Sequence, residues 1–301
     1  VPESPTPIPT TTSEVTPVVT ESAWRGAARR FVAHRAAVIG LIVIVLAAVV
    51  ALIAPLLPLD PYATDLTAPR AAPSPEHLLG TDVIGRDVLA RLVWGARVSL
   101  LVGFASVALM ALIGVVAGSL SGYFGGWVDQ VIMRVADVIM SFPSMLIVLA
   151  LVAIAGPSMW NIIIAIGVTQ WPQVARLVRS SFLTLREQDY VKAAVVLGAH
   201  PVRIMARHIL PLASGPLMIA ATFAVASAIL MEAGLSFLGV GVQPPTASWG
   251  NLLTDAQSLS VLATMPWLWL PPSICIAVVV LCINFVGDGL RDALDPHSEQ
   301  Q

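Results

Sequence analysis

Six stretches of this sequence contain no Asp, Glu, Lys or Arg: 36–59, 98–128, 138–175, 208–231, 233–254 and 256–287, together more than half of the chain. A helix needs about 20 apolar residues to cross a bilayer, and soluble folds rarely supply such runs repeatedly. Within lipid every backbone polar group must be satisfied inside its own segment. The pattern therefore predicts an all-α, polytopic membrane protein. Composition agrees, because 11% of residues are charged where a soluble domain carries about 25%.

The same arithmetic excludes several functions. A net charge of −2 and a pI near 6.2 leave no basic footprint for nucleic acid. The two cysteines, Cys275 and Cys282, are too few for a disulfide scaffold or a Cys-based zinc site. On one helix they stand about 10.5 Å apart in rise, so they read as core residues.

Residues 1–22 are rich in Pro, Thr and Ser and read as a disordered tail. Arg25, Arg29, Arg30 and Arg35 precede the first apolar run, 36–57, which reads as a retained anchor with an external loop behind it, so that 23–97 forms one unit. Residues 98–296 form the core and 297–301 a short tail. Splitting the remaining runs at Gly, Pro and charge gives spans near 98–120, 138–155, 160–176, 216–239 and 268–287. The span at 160–176, fourth of six, carries Gln170, Pro172 and Gln173 and is the weakest of them, open also to reading as a short or broken helix. Six spans put both termini on one side. With the N-terminus inside, 12 basic residues fall inside and 4 outside (Arg70, Arg86, Arg91 and Arg97), so the positive-inside rule predicts N-in and C-in.

Gly114, Gly118, Gly122 and Gly126 recur every fourth residue. On a helix they make a flat stripe for close backbone approach, either within the chain's own bundle or against a second subunit. Segment 177–213 is long and has helix-period patterning of its own. Leu185, Tyr190, Val191, Ala194, Val195 and Leu197 form a small apolar face, which Gly198 terminates as a C-cap glycine would. Pro201 suits the first turn of a second short helix with Val202, Met205, Ala206 and Ile209 on one side, and Pro211 is expected to end it. Two such helices serve either a partner protein or a lipid surface.

Residues 189–211, DYVKAAVVLGAHPVRIMARHILP, resemble the cytoplasmic loop of permease subunits of bacterial ATP-binding-cassette (ABC) importers. Ala193, Ala194, Gly198, Leu210 and Pro211 fall on that family's pattern, with Lys192 where a glutamate is usual and His208 where isoleucine is frequent. The blocks 80–100, 121–143, 232–253 and 287–296 are similar to the dipeptide, oligopeptide and nickel importer permeases, in particular their second, C-type subunit. The resemblance covers about residues 30–296. It implies a six-helix permease that pairs with a homologous permease, rests on two ATPase subunits and receives cargo from an extracytoplasmic binding protein in the bacterial cytoplasmic membrane. It also implies that a helix near 187–198, with Glu187, Asp189, Tyr190 and Lys192 on it, docks into an ATPase groove. ATP and Mg would bind those partners, since this chain has no G-x-x-x-x-G-K-[ST] sequence. Peptides are the expected cargo, with nickel or glutathione as the alternative.

Other residues keep two roles open. Glu232 interrupts a long uncharged run; it either lines the pathway or bonds a neighbouring helix. Asp137 and Pro143 bracket the entry to the third span, and the proline is expected to kink it. Thr81, Asp82, Gly85, Arg86 and Asp87 form a polar cluster that either contacts the binding protein or closes on itself as a salt-bridge network. Asp288, Arg291, Asp292 and Asp295 read as a solvated helix end. The five histidines, at 34, 77, 200, 208 and 297, lack ligand-like spacing, so no metal site is expected. An intramembrane hydrolase would need a base beside Ser119 or Ser121, and no histidine lies within a span. An ion-coupled carrier usually shows repeated halves and several intramembrane ionisable groups, and Glu232 stands alone.

Overall fold

Prolines, glycines and capping side chains set where the helices begin and end. The computed structural model describes residues 23–294; the tail 1–22, Asp295, His297 and the segment 297–301 lie outside the described residues. Within them there are twelve α-helices and no strand.

Helix α1 (Ala23–Ala33) is separated from α2 (Arg35–Ile53) by His34, whose Nδ1 accepts the Ala37 N–H at 3.1 Å. Ile39, Ile42, Leu46 and Leu52 stand exposed along α2, as expected of a helix surrounded by lipid. The 57–87 connection then leads to α3 (Val88–Phe124), capped by the Asp87 carboxylate on the Ala90 N–H at 2.9 Å. At 37 residues, α3 is about 55 Å long and extends well beyond the expected 98–120 at both ends.

Helices α4 (Gly126–Met140) and α5 (Ser144–Ala155) meet at a bend of 86°. The expected kinked span over 138–155 is thus two helices, with Pro143 as the N-cap of the second. A proline there has no N–H to donate and disfavours helical geometry in Phe142 before it.

Helix α6 (Met159–Leu185) is unbroken, so of the two readings of 160–176 the short or broken helix falls away. It packs along α3 more extensively than any other pair of elements pack together. Gly114, Gly118 and Gly122 face it: a Cβ at Gly118 would lie 2.5 Å from the Ala175 carbonyl oxygen, and one at Gly122 2.5 Å from the Phe182 Cβ. Gly126 is off this contact, with nothing within 4 Å.

After α7 (Asp189–Val196) comes α8 (Pro201–Ile204), which runs through a π turn (Met205–Ile209) into α9 (Leu210–Phe237). Pro211 therefore does not end a helix; a single rod spans Pro201–Phe237. The wider turn is the reason, because the Leu210 N–H reaches back five residues to the Met205 carbonyl and makes room for a proline ring that would strike a carbonyl in a regular turn. The extra residue also shifts the buried face, so that Ile204, Met205 and Ile209 are buried while Val202 and Ala206 are exposed. Short helices α10 (Trp249–Leu252) and α11 (Leu259–Thr264) precede α12 (Pro266–Leu294), which packs on α2 and α9.

Four of these elements are long and apolar enough to cross a membrane: Arg35–Leu56, α3, the Pro201–Phe237 rod and α12. The bent α4–α5 pair makes a fifth when counted as one. The polar residues Gln170, Gln173, Arg176 and Arg179 keep α6 outside this set.

Candidate functional site

The connection from α6 to α9 is built from local signals. Arg186 closes α6 by donating its N–H to the Phe182 carbonyl at 2.9 Å, and its Nη1 reaches the Gly122 carbonyl at 3.2 Å on α3. Asp189 then opens α7 where its negative charge suits the helix N-terminus. At the other end Gly198 takes φ +75°, the left-handed region that glycine enters at little cost. Its N–H bonds the Val195 carbonyl at 2.9 Å and the Ala199 N–H bonds the Ala194 carbonyl at 3.0 Å. This pair of bonds is the Schellman arrangement. His200 and Pro201 restart the helix two residues later.

The apolar face of α7 is split by this geometry. Val191 is buried at 2% exposure and Ala194 is half-buried, anchoring α7 on the core. Tyr190, Val195 and Val202 are exposed, and Val196 and Leu197 each stand 86% exposed. Ala193 and Gly198 are also exposed. The face expected to bury Tyr190, Val195 and Leu197 therefore has no cover among the described residues. Glu187 pairs with Arg186 at 3.3 Å and with Lys192 at 3.6 Å, both at the surface, where such pairs contribute little.

Glu232 on α9 is fully buried, at 0% exposure. Its Oε2 accepts from the Ser99 hydroxyl at 3.1 Å and its Oε1 from the Ser236 hydroxyl at 2.8 Å. Each serine oxygen in turn accepts a backbone N–H, Trp249 on Ser99 and Val242 on Ser236, both at 3.1 Å. The carboxyl thus ties α9 to α3 and to the 240–250 segment, and of the two roles open to it the geometry shows the bond to a neighbouring helix. Sequence inspection missed Ser99, Ser236 and Trp249, since serines are common in packed helices and only a fold brings them to the carboxyl.

The polar cluster ahead of α3 turns inward. Thr81, Asp82 and Gly85 are buried while Arg86 and Asp87 are half-buried, and the cluster is bonded internally around Asp82. Asp82 accepts from the Ile84 and Arg86 backbones at 3.0 and 2.9 Å, from Arg86 Nε at 2.7 Å and from Arg91 Nη1 at 2.5 Å. Burial pushes the Asp82 carboxyl up, but the bonds from Arg86 and Ile84 outweigh it and hold the pKa below its ordinary value. Gly85, at φ +87°, leaves no room for a side chain, since a Cβ would sit 2.0 Å from the Asp65 carbonyl oxygen. His77 Nδ1 lies 2.9 Å from Asp87 Oδ2, with Asp65 3.8 Å from its other nitrogen. The hydrogen bond to Asp87 raises the His77 pKa above its ordinary value. Among the described residues no group of three or more His, Cys, Asp or Glu is placed to hold a metal ion.

Residues 114–300 match the family described as binding-protein-dependent transport system inner membrane component. The chain belongs to this family. Residues 22–73 match the N-terminal transmembrane domain of oligopeptide transport permease C. Curated relatives agree over nearly the full length. A putative peptide permease protein of Brucella suis is 45% identical over 273 residues, covering 90% of each chain. The dipeptide transport system permease protein DppC of Alkalihalophilus pseudofirmus is 43% identical over 276 residues, covering 91% of this chain and 90% of the relative. The oligopeptide transport system permease protein OppC of Bacillus subtilis is 42% identical with the same coverage. Among solved structures, a chain of the MetNI methionine ABC transporter in inward-facing conformations superposes with a TM-score of 0.55 at 21% identity, covering 67% of this chain and 96% of that one. The resemblance read from the loop and the four blocks is therefore that of a family member, and the fold is that of an ABC permease. As a permease of this family the chain is not an enzyme; ATP hydrolysis in such importers resides in separate subunits.

Proposed function

We propose that this chain is one of two permease subunits of an ATP-driven peptide importer in the bacterial cytoplasmic membrane. The observation that carries the reading is α7: a short helix anchored by Val191, with Val196 and Leu197 uncovered beside it and a glycine cap ending it. A helix presenting an apolar edge suits insertion into a partner's groove, and an ATPase subunit is the partner we assign. The relatives named for peptide, dipeptide and oligopeptide transport favour peptides over nickel or glutathione as cargo.

In this reading α6 is the sixth span. Its arginines are tolerable because Arg176 pairs with Asp137 and Arg179 with Asp129. Both termini lie in the cytoplasm, as the 12-to-4 split of basic residues supports. A homologous permease completes the pathway, a binding protein delivers cargo outside, and two ATPases hold the ATP and Mg. Closure of the ATPases moves α7 as a rigid body and shifts the pair of permeases between inward- and outward-open arrangements.

Gly198→Val tests the coupling. A β-branched residue at φ +75° is strained by roughly 1–2 kcal/mol, which disorders the cap and misdirects α7. The expected result is a complex that inserts and assembles but no longer links ATP hydrolysis to peptide uptake. Normal uptake by that variant would overturn the assignment of α7.

A further inference from the structure

A crevice of about 340 Å³ opens between α3, α5, α6 and α9, at the lower end of the range for small-ligand pockets. Ser106, Ser144, Gln170, Gln173 and Ser227 supply its polar groups, and among the described residues no ionisable side chain lines it. Ser106 is fully buried, and its hydroxyl has no hydrogen-bond partner among the described residues. Buried polar groups are nearly always satisfied, so an orphan needs an explanation. Gln173 is exposed and Gln170 half-buried, and neither amide bonds to another described residue. An amide left without a partner in a membrane-spanning bundle is costly. A smaller crevice of about 130 Å³ shares Ser144, Gln170 and Gln173 and reaches the α4–α5 bend at Phe142. The two crevices therefore join into one polar track beside α6, walled by groups from α3, α5, α6 and α9.

We propose that this track is a resting place for the main chain of a transported peptide, which it reads through amide groups. The proposal rests on the peptide-importer reading and names the residues of this chain that would touch the cargo. A glutamine amide presents an acceptor beside two donors, the complement of a peptide unit, and a serine hydroxyl serves as either. With no charge on its walls, the track accepts peptides whatever the charge of their side chains. Ala220, Ala224 and Ala228 on the α9 wall leave room for those side chains. A metal cargo would find none of its usual carboxylate, imidazole or thiolate ligands there.

The test uses the complete importer reconstituted in liposomes with ATP and saturating binding protein. The probes are trialanine and its analogue with an ester in place of the central amide. The same binding protein serves every variant, so a change in the amide-to-ester uptake ratio reports on the permease. For Gln170→Leu with Gln173→Leu, trialanine uptake is expected to fall about tenfold, the worth of one or two hydrogen bonds, and the ratio to approach one. Gln173→Glu places a charge at an exposed position that tolerates it. It is expected to raise uptake of Ala-Lys-Ala relative to Ala-Asp-Ala, and this readout survives should the double variant fail to assemble. Unchanged ratios in assembled variants, while the wild type carries trialanine, would overturn the track alone. A wild-type complex that carries no peptide would overturn the peptide reading and the track with it.

Discussion

Arg179 on α6 grips Asp129 on α4 with two arms of its guanidinium, Nη2 meeting Oδ2 at 2.6 Å while Nε meets Oδ1. The Ser121 hydroxyl of α3 bonds the same carboxylate. Three helices are thereby joined about two turns before α6 hands over to the α7 connection. Arg179→Lys keeps the charge and loses the fork. Because the pair is only partly buried, the expected cost is about 1 kcal/mol. The melting temperature of the purified complex should fall by about 2 °C, and an unchanged melt would show that the joint carries no load.

The α3–α6 contact predicts a much larger effect at Gly118. A side chain there meets the Ala175 carbonyl oxygen and Val178 Cβ, at 2.5 and 2.8 Å from its first carbon. Gly118→Val should cost about 3 kcal/mol through overpacking and reduce the folded fraction recovered in detergent. Gly26→Ala on α1 meets none of the described residues within 4 Å and should stabilise by about 0.5–1 kcal/mol. Equal behaviour of the two variants would contradict the packing argument.

At Glu232 the acceptor matters more than the size of the side chain. Glu232→Ala leaves the Ser99 and Ser236 hydroxyls without their acceptor and opens a cavity, at a cost of about 3 kcal/mol. Glu232→Gln keeps a polar group in the same place and should cost about 1 kcal/mol or less. Thermal retention of folded, transport-competent complex separates these cases. A glutamine variant as damaged as the alanine one would assign the role to the carboxyl group itself.

These contacts show what a single sequence discloses. Gly198, Pro201 and the break at Pro143 were legible because caps and proline effects act within a few residues of themselves. The Ser99–Glu232 bond joins residues 133 apart, and the Arg179–Asp129 pair residues 50 apart. No local pattern announces such partners. Pro211 misled for a different reason: its missing N–H does argue for a helix end, and only the widened turn before it lets the helix pass. The polar residues of α6 likewise argued for a weak span until α3 was seen to lie along it.

The His77–Asp87 bond predicts a pH response in the 57–87 connection. The folded pKa of His77 lies above its ordinary 6.5, so folding favours the protonated ring. The resulting stabilisation is complete below pH 6.5 and fades as pH rises through the folded value. Asp82 works in the opposite direction: its contribution is present above its ordinary 3.8 and is lost as pH falls through the lower folded value. After correction for intrinsic rates, hydrogen exchange at Gly80 and Thr81 should be slower near about pH 6 than near about pH 8.5. His77→Gln should remove that difference, and a difference persisting in the variant would exclude His77 as its source.

The continuous run from Pro201 to Phe237 is 37 residues long, or about 55 Å of helix. A body of that length, pivoting about one end, displaces the other by about 1 Å for each degree of tilt. One end lies beside α7, and Glu232 sits near the other. A tilt of a few degrees, small enough to leave most side-chain packing near the pivot intact, therefore carries the far end through more than the width of a carbon atom. Ending the helix at Pro211 would have shortened that arm by ten residues and inserted a joint between the two ends.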